Sequence, residues 1–184
     1  MLDVGEERNK MSKSVLISIR PKWCGLIAKG EKTVEVRKNK PKLEMPFKCY
    51  IYCTKDSKLQ FWTGKRYSYA DDHSHNIFDK CGNGKVIGEF VCDRIIVADP
   101  GNYVTLGVLD TMLDALDLMD YANEKTVYGW HISDLVIYDK PKGLDWFRKP
   151  IDCHRGKDRE NCRGCWDCEI KRAPQSWCYV DESS

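Results

Sequence analysis

Short β-branched runs, a brief amphipathic segment and one longer helical stretch set the rhythm of the chain. Val15-Leu16-Ile17-Ser18-Ile19 reads as a buried strand. Pro21 suits the first turn of a helix, where its missing N–H is not needed. Trp23, Leu26 and Ile27 then recur at i, i+3 and i+4, predicting a short helix over residues 21–29 that Gly30 ends. Thr33 to Arg37 alternates with period two, which places Thr33, Glu35 and Arg37 on one face of a strand and Val34 and Val36 on the other. A basic, proline-bounded loop follows, then a strand from Phe47 to Thr54 with Phe47, Cys49, Ile51 and Cys53 aligned.

Residues 55–84 keep no period and read as an insertion or a long flap. Lys85 to Val97 is strongly β and stops at the turn residues Asp99, Pro100 and Gly101. Leu109, Met112, Leu113, Leu116 and Met119 share helical spacing, predicting one helix from Leu109 to Tyr121 with aspartates on its far side. Tyr128 to Tyr138 predicts a further strand with Trp130 and Ile132 turned inward, and Trp177 to Val180 a last one returning to the sheet. The succession of elements implies an α+β fold with a mostly antiparallel β-sheet curled into a barrel and two or three short helices. The expected organisation is a leader at 1–12, a barrel at 13–150 and a Cys-rich extension at 151–184.

Composition changes this picture little. The 184 residues are 42% hydrophobic and 32% charged, with a net charge of +2, which suits a globular chain and excludes a disordered one. Neither a membrane-spanning run nor a secretory signal is legible, so the cytoplasm is the expected location and no membrane partner is expected. The charge is uneven. Residues 1–50 hold 12 Lys and Arg against 6 Asp and Glu, whereas residues 101–150 hold 5 against 8. A basic first third can track phosphates while an acidic segment faces elsewhere.

Candidate chemistry concentrates in Gly30-Glu31-Lys32-Thr33-Val34-Glu35-Val36-Arg37. Lys32 and Arg37 can donate to phosphate or base oxygens, and Glu35 can accept from an exocyclic amine or hold the arginine fork. Arg20, Lys22 and His131 join them as candidate nucleic-acid-binding residues. The bland alternative is an edge strand with a surface ion pair. Trp130 reads as core. His73 and His75 have the spacing of a metal pair without a strong partner nearby.

This segment, with Ile19-Arg20-Pro21 before the helix, resembles the opening of ASCH domains. Tyr128-Gly129-Trp130-His131-Ile132 and Tyr138-Asp139-Lys140-Pro141-Lys142 resemble the end of that domain in phage and bacterial members. Together the likeness spans about Val15 to Phe147. It implies a PUA-like β-barrel whose cleft is lined by the Lys-x-x-Glu-x-Arg strand, with RNA or a nucleotide as partner. One branch of the family comprises N4-acetylcytidine amidohydrolases that use a lysine, a threonine three positions later and a glutamate. Lys32 matches the lysine, but Glu35 stands where the threonine would be, and Thr33 points differently from Lys32 on a strand. The resemblance therefore implies recognition ahead of hydrolysis; in a hydrolase, Lys32 and Glu35 would be the catalytic pair.

Five of the ten cysteines fall between Cys153 and Cys178. Cys162, Cys165 and Cys168 stand at Cys-x2-Cys spacing, which lets thiolates converge on one ion, and Cys153 would complete a four-cysteine set. His154 or Cys178 are alternatives for the fourth position. A structural zinc ion is the first expectation, an iron–sulfur cluster the second and unliganded thiols the third. With such a segment, a metal-stabilised protein-interaction module is a further alternative function.

Overall fold

A computed structural model describes residues 13–63, 81–150 and 168–182. The leader at 1–12, His73 and His75, and Cys153, Cys162 and Cys165 lie outside the described residues. In chain order the elements are β1 (Ser14–Ile19), α1 (Pro21–Ala28), β2 (Val34–Arg37), β3 (Phe47–Cys53), β4 (Lys85–Cys92) and β5 (Ile95–Ala98). A 3-10 turn (Tyr103–Leu106), α2 (Val108–Thr111), α3 (Ala115–Ala122), β6 (Val127–His131) and β7 (Ser133–Lys142) follow. The described chain closes with a second 3-10 turn (Leu144–Trp146), β8 (Phe147–Arg148) and β9 (Trp177–Glu182). Among the described residues no helix is long and apolar enough to cross a membrane.

The strands form a six-stranded sheet in the order β7-β4-β3-β1-β9-β8 and a three-stranded sheet in the order β2-β6-β5. β1 and β3 are parallel, because α1 and β2 intervene as a crossover; the remaining pairs are antiparallel. This is a strand-rich α+β fold whose larger sheet curls as a half-barrel. β1 is central and buried at every position, which is why its sequence shows an apolar run and no alternation. On its inner face Val15, Ile17 and Ile19 join Cys49, Ile51, Phe90 and Cys92 around Trp130 of β6. Trp130 is fully buried and meets Phe47 edge-on at 5.8 Å and Trp177 at 5.9 Å. The outer face carries a second cluster built on Leu16, Tyr50, Phe147 and Val180. β9 pairs with β1 along Ser14 to Ile17, so the sheet draws on chain from both sides of the cysteine-rich segment.

Three elements differ from the sequence expectation. The run Lys85 to Val97 divides at Asp93 and Arg94 into β4 and β5, which belong to different sheets. Tyr128 to Tyr138 divides in the same way at Ile132 into β6 and β7. Both breaks are corners where the chain passes between sheets, and both sides are apolar enough to hide them. The expected single helix over 109–121 is two helices. Met112 adopts φ 56°, and Asp114 restarts the chain as an N-cap, its carboxylate accepting from the Asp117 N–H at 2.7 Å. That restart rephases the second helix. Leu118 and Ala122 seat it on Val36, Ala98, Leu106 and Val127, while Leu116 and Met119, expected inward, are 74% and 55% exposed.

Candidate nucleic-acid cleft

The site begins where β1 ends. The Arg20 carbonyl accepts from the N–H groups of Trp23 and Cys24, which starts α1 and leaves the Arg20 side chain exposed. At the other end of α1, Gly30 takes φ 75°, a left-handed conformation that costs a residue with a Cβ. The chain then folds back, and the N–H groups of Glu31 and Lys32 both donate to the Leu26 carbonyl at 3.0 and 3.2 Å. That turn carries Lys32 inward at the head of β2.

Lys32 is 3% exposed. Its Nζ donates to the carbonyls of Val34 and Thr111, each at 2.7 Å, and lies 3.4 Å from Glu35 Oε2. The other Glu35 oxygen, Oε1, receives Arg37 Nη2 at 2.9 Å, and the same Nη2 donates to the Ser18 carbonyl at 2.7 Å. Arg37 Nε is buried with no partner among the described residues. Burial pulls the Lys32 pKa below the usual lysine range, partly opposed by the Glu35 charge. Burial raises the Tyr121 phenol, with Arg37 opposing. Lys32, Glu35 and Arg37 thus form a shielded ion-pair network, unlike a surface pair on an edge strand, although β2 does lie at the edge of its sheet.

Above this network opens a cleft of about 600 Å³, a size that accommodates a small-molecule ligand. Trp23, Val36, Leu113 and Tyr121 supply apolar walls, and Arg20, Arg37 and Lys38 add cations to the lining. Asp117 of α3 and the 175–176 segment complete the lining. Lys38 reaches over the Tyr121 ring, 5.2 Å from its centroid. The basic loop after β2 is pinned by β9: Trp177 Nε1 donates to Asn39 Oδ1 at 2.7 Å, and the Tyr179 hydroxyl accepts from the Lys42 N–H at 2.7 Å. Ser18 ties the other flank, its hydroxyl donating to the Pro174 carbonyl and its N–H to that of Ser176.

Of the residues singled out in the sequence, Arg20, Lys32, Glu35 and Arg37 meet at this cleft. Lys22 lies over the Trp23 ring at 4.6 Å and is not among the lining residues. His131 faces Asp93, with Nδ1 2.6 Å from the carboxylate, which lowers the Asp93 pKa; it too is absent from the cleft wall. Cys168 is buried, and its carbonyl accepts from the Lys149 N–H; no group of metal-ligating side chains is assembled among the described residues. Sequence reasoning missed Lys38, Asp117, Tyr121 and Gln175 as cleft residues. Only the basic run at 37–42 hinted at the first, and the aspartates of the 109–121 stretch read as a solvated face.

The curled sheet, with the Lys-x-x-Glu-x-Arg strand at its cleft, has the arrangement of known ASCH structures. Solved structures agree. The chain is similar to a crystal structure of ASCH from Zymomonas mobilis, with a TM-score of 0.51 and 18% identity over 90% of this chain and 86% of that one. A mutant of the same protein gives a TM-score of 0.52 at 18% identity, over 92% and 89%. The chain therefore has the ASCH fold. No protein-family model and no curated protein matches the sequence.

Proposed function

We propose that the protein binds RNA, or a nucleotide derived from it, in this cleft, and does so in the cytoplasm. The observation that carries the reading is the meeting of Arg20, Arg37 and Lys38 with apolar walls in one cleft. The cations suit phosphate, and the apolar walls suit a base that has left its stack. The ASCH fold adds to the reading by analogy with PUA-like domains. Titration of single-stranded RNA and of nucleotides into the protein at two salt concentrations tests it, because phosphate contacts weaken steeply with salt.

Binding is favoured over hydrolysis of a modified nucleoside by the state of the two residues a hydrolase would need. Both Glu35 oxygens are taken by Lys32 and Arg37, and the Lys32 ammonium is held by two carbonyls. Lys32 would have to leave its two carbonyls and lose a proton before it could attack, and two cations beside Glu35 disfavour its taking up a proton. For the cysteine-rich segment the reading is a structural zinc site on Cys153, Cys162, Cys165 and Cys168. Elemental analysis of the purified protein tests it, with one zinc per chain expected.

A further inference from the structure

The side of α3 turned away from the cleft carries apolar groups that the fold does not use. Leu118 and Ala122 face the small sheet, and Asp117 and Tyr121 line the cleft. With successive residues about 100° apart around a helix, Leu116 and Met119 fall on the flank opposite Asp117 and Tyr121. They stand three positions apart, as neighbours on the helix surface, and are 74% and 55% exposed. Of the ten large apolar side chains exposed among the described residues, five (Val97, Val104, Met112, Leu116 and Met119) belong to residues 97–119. Single exposed apolar residues are ordinary, but half of them in one stretch mark a surface that a partner covers.

Charge decides what kind of partner fits. Residues 95–124 carry six acids and no Lys or Arg. All six are exposed, and none is ion-paired among the described residues. Lys38 reaches α3 over Tyr121, on the cleft side, so the outward side stays acidic, with Asp120 next to Leu116 around the helix. RNA and anionic lipid are repelled there. A second copy meeting this face through the same face would set these acids against one another. A cationic segment with apolar side chains satisfies both the carboxylates and the exposed apolar groups, and Met112 and Met119 adapt to an irregular partner surface.

We propose that the outward side of α3 docks a basic protein segment with apolar side chains at helical spacing. Its apolar side chains seat on Leu116 and Met119, and its lysines or arginines meet Asp120 and the neighbouring acids. The inference does not depend on what the cleft binds. The test is titration of a labelled peptide of Leu and Lys, its leucines at i, i+3, i+4 and i+7, into the full chain. Two controls accompany it: the same residues shuffled so that no apolar face forms, and a version with Glu for every Lys. The Leu and Lys peptide should bind, the shuffled one about tenfold more weakly, and the Glu version not at all. The double variant Leu116→Ser, Met119→Ser should lose about tenfold or more in affinity, the scale of truncated apolar anchors, with an unchanged urea midpoint because both positions are exposed. Asp120→Asn should weaken binding and make it less sensitive to salt. Equal binding of the shuffled peptide, binding of the Glu version, or an affinity unmoved by the double variant would overturn the proposal. So would self-association of the wild type that the double variant abolishes, since the occupant would then be a second copy.

Discussion

Lys32→Met separates a cation that builds the cleft from one that touches ligand. In the folded protein the ammonium meets two carbonyls at 2.7 Å and a carboxylate at 3.4 Å, with 3% of the residue exposed. The methionine keeps the packed stem and removes every donor. Two carbonyls, those of Val34 and Thr111, then lose a charged donor, and each buried polar group left unsatisfied costs about 1–3 kcal/mol. Glu35 also loses one of its two counter-charges; breaking a buried pair outright costs about 3–5 kcal/mol, but Arg37 remains at 2.9 Å. Relief from desolving the ammonium offsets part of this, so the expected net loss is about 3 kcal/mol. At this chain length that lowers the thermal midpoint by about 6–12 °C. Lys22→Met, at an exposed position, should change stability by less than about 0.5 kcal/mol. Urea unfolding of both variants, with hydrogen exchange at residues 108–122, reads the effect. The exchange should quicken around Thr111, whose carbonyl is the far end of the clamp. A Lys32→Met protein as stable as the wild type would show that the ammonium does not clamp these carbonyls and return Lys32 to the role of a free phosphate hand.

Other consequences follow from the same geometry. Burial pushes the Cys92 thiol up to about 12; because its folded pKa lies above the unfolded one, its stabilising contribution is complete below the ordinary thiol range and is lost as pH rises through the interval up to about 12. Stability should then fall by up to about 1.4 kcal/mol per pH unit from this group, and Cys92→Ala should flatten the alkaline limb of a urea-midpoint profile. Gly88 of β4 has the Val136 carbonyl 2.3 Å from where a Cβ would stand, so Gly88→Ala should destabilise by about 1–3 kcal/mol as overpacking does, seen as a lowered midpoint with an unchanged m-value. If the cysteine-rich segment holds zinc, a chelator should release one equivalent and lower the thermal midpoint, while iron and visible absorption would identify a cluster instead.

Much of the fold was legible because each signal was local. β1, α1 and β2 follow from an apolar run, Pro21, Gly30 and the alternation of 33–37, none of which depends on distant chain. The corners at Asp93–Arg94 and at Ile132 were not legible, since a strand leaving one sheet for another changes its partners and not its composition. Helix α3 was misphased for a different reason: Asp114 acts as a cap, and a spacing pattern that includes Met112 assigns the wrong face to the core. The cleft was half legible. Arg20 and Arg37 announce themselves in the sequence and Lys38 does not, and that Lys32 is buried depends on the Thr111 carbonyl, 79 residues away. Asp117 enters the cleft only because α3 packs on the small sheet through Leu118 and Ala122.

The proposed function requires that Arg20 and Lys38 hold phosphate. Its most direct measurement is the salt dependence of single-stranded RNA binding by the wild type and by the Arg20→Ala, Lys38→Ala double variant, both at exposed positions outside the buried network. Each lost phosphate contact should reduce the slope of log affinity against log salt by about 0.7, so the double variant should bind more weakly with a slope shallower by about 1.4. RNA binding with the same affinity and the same salt slope in both proteins would rule out a phosphate contact by Arg20 and Lys38.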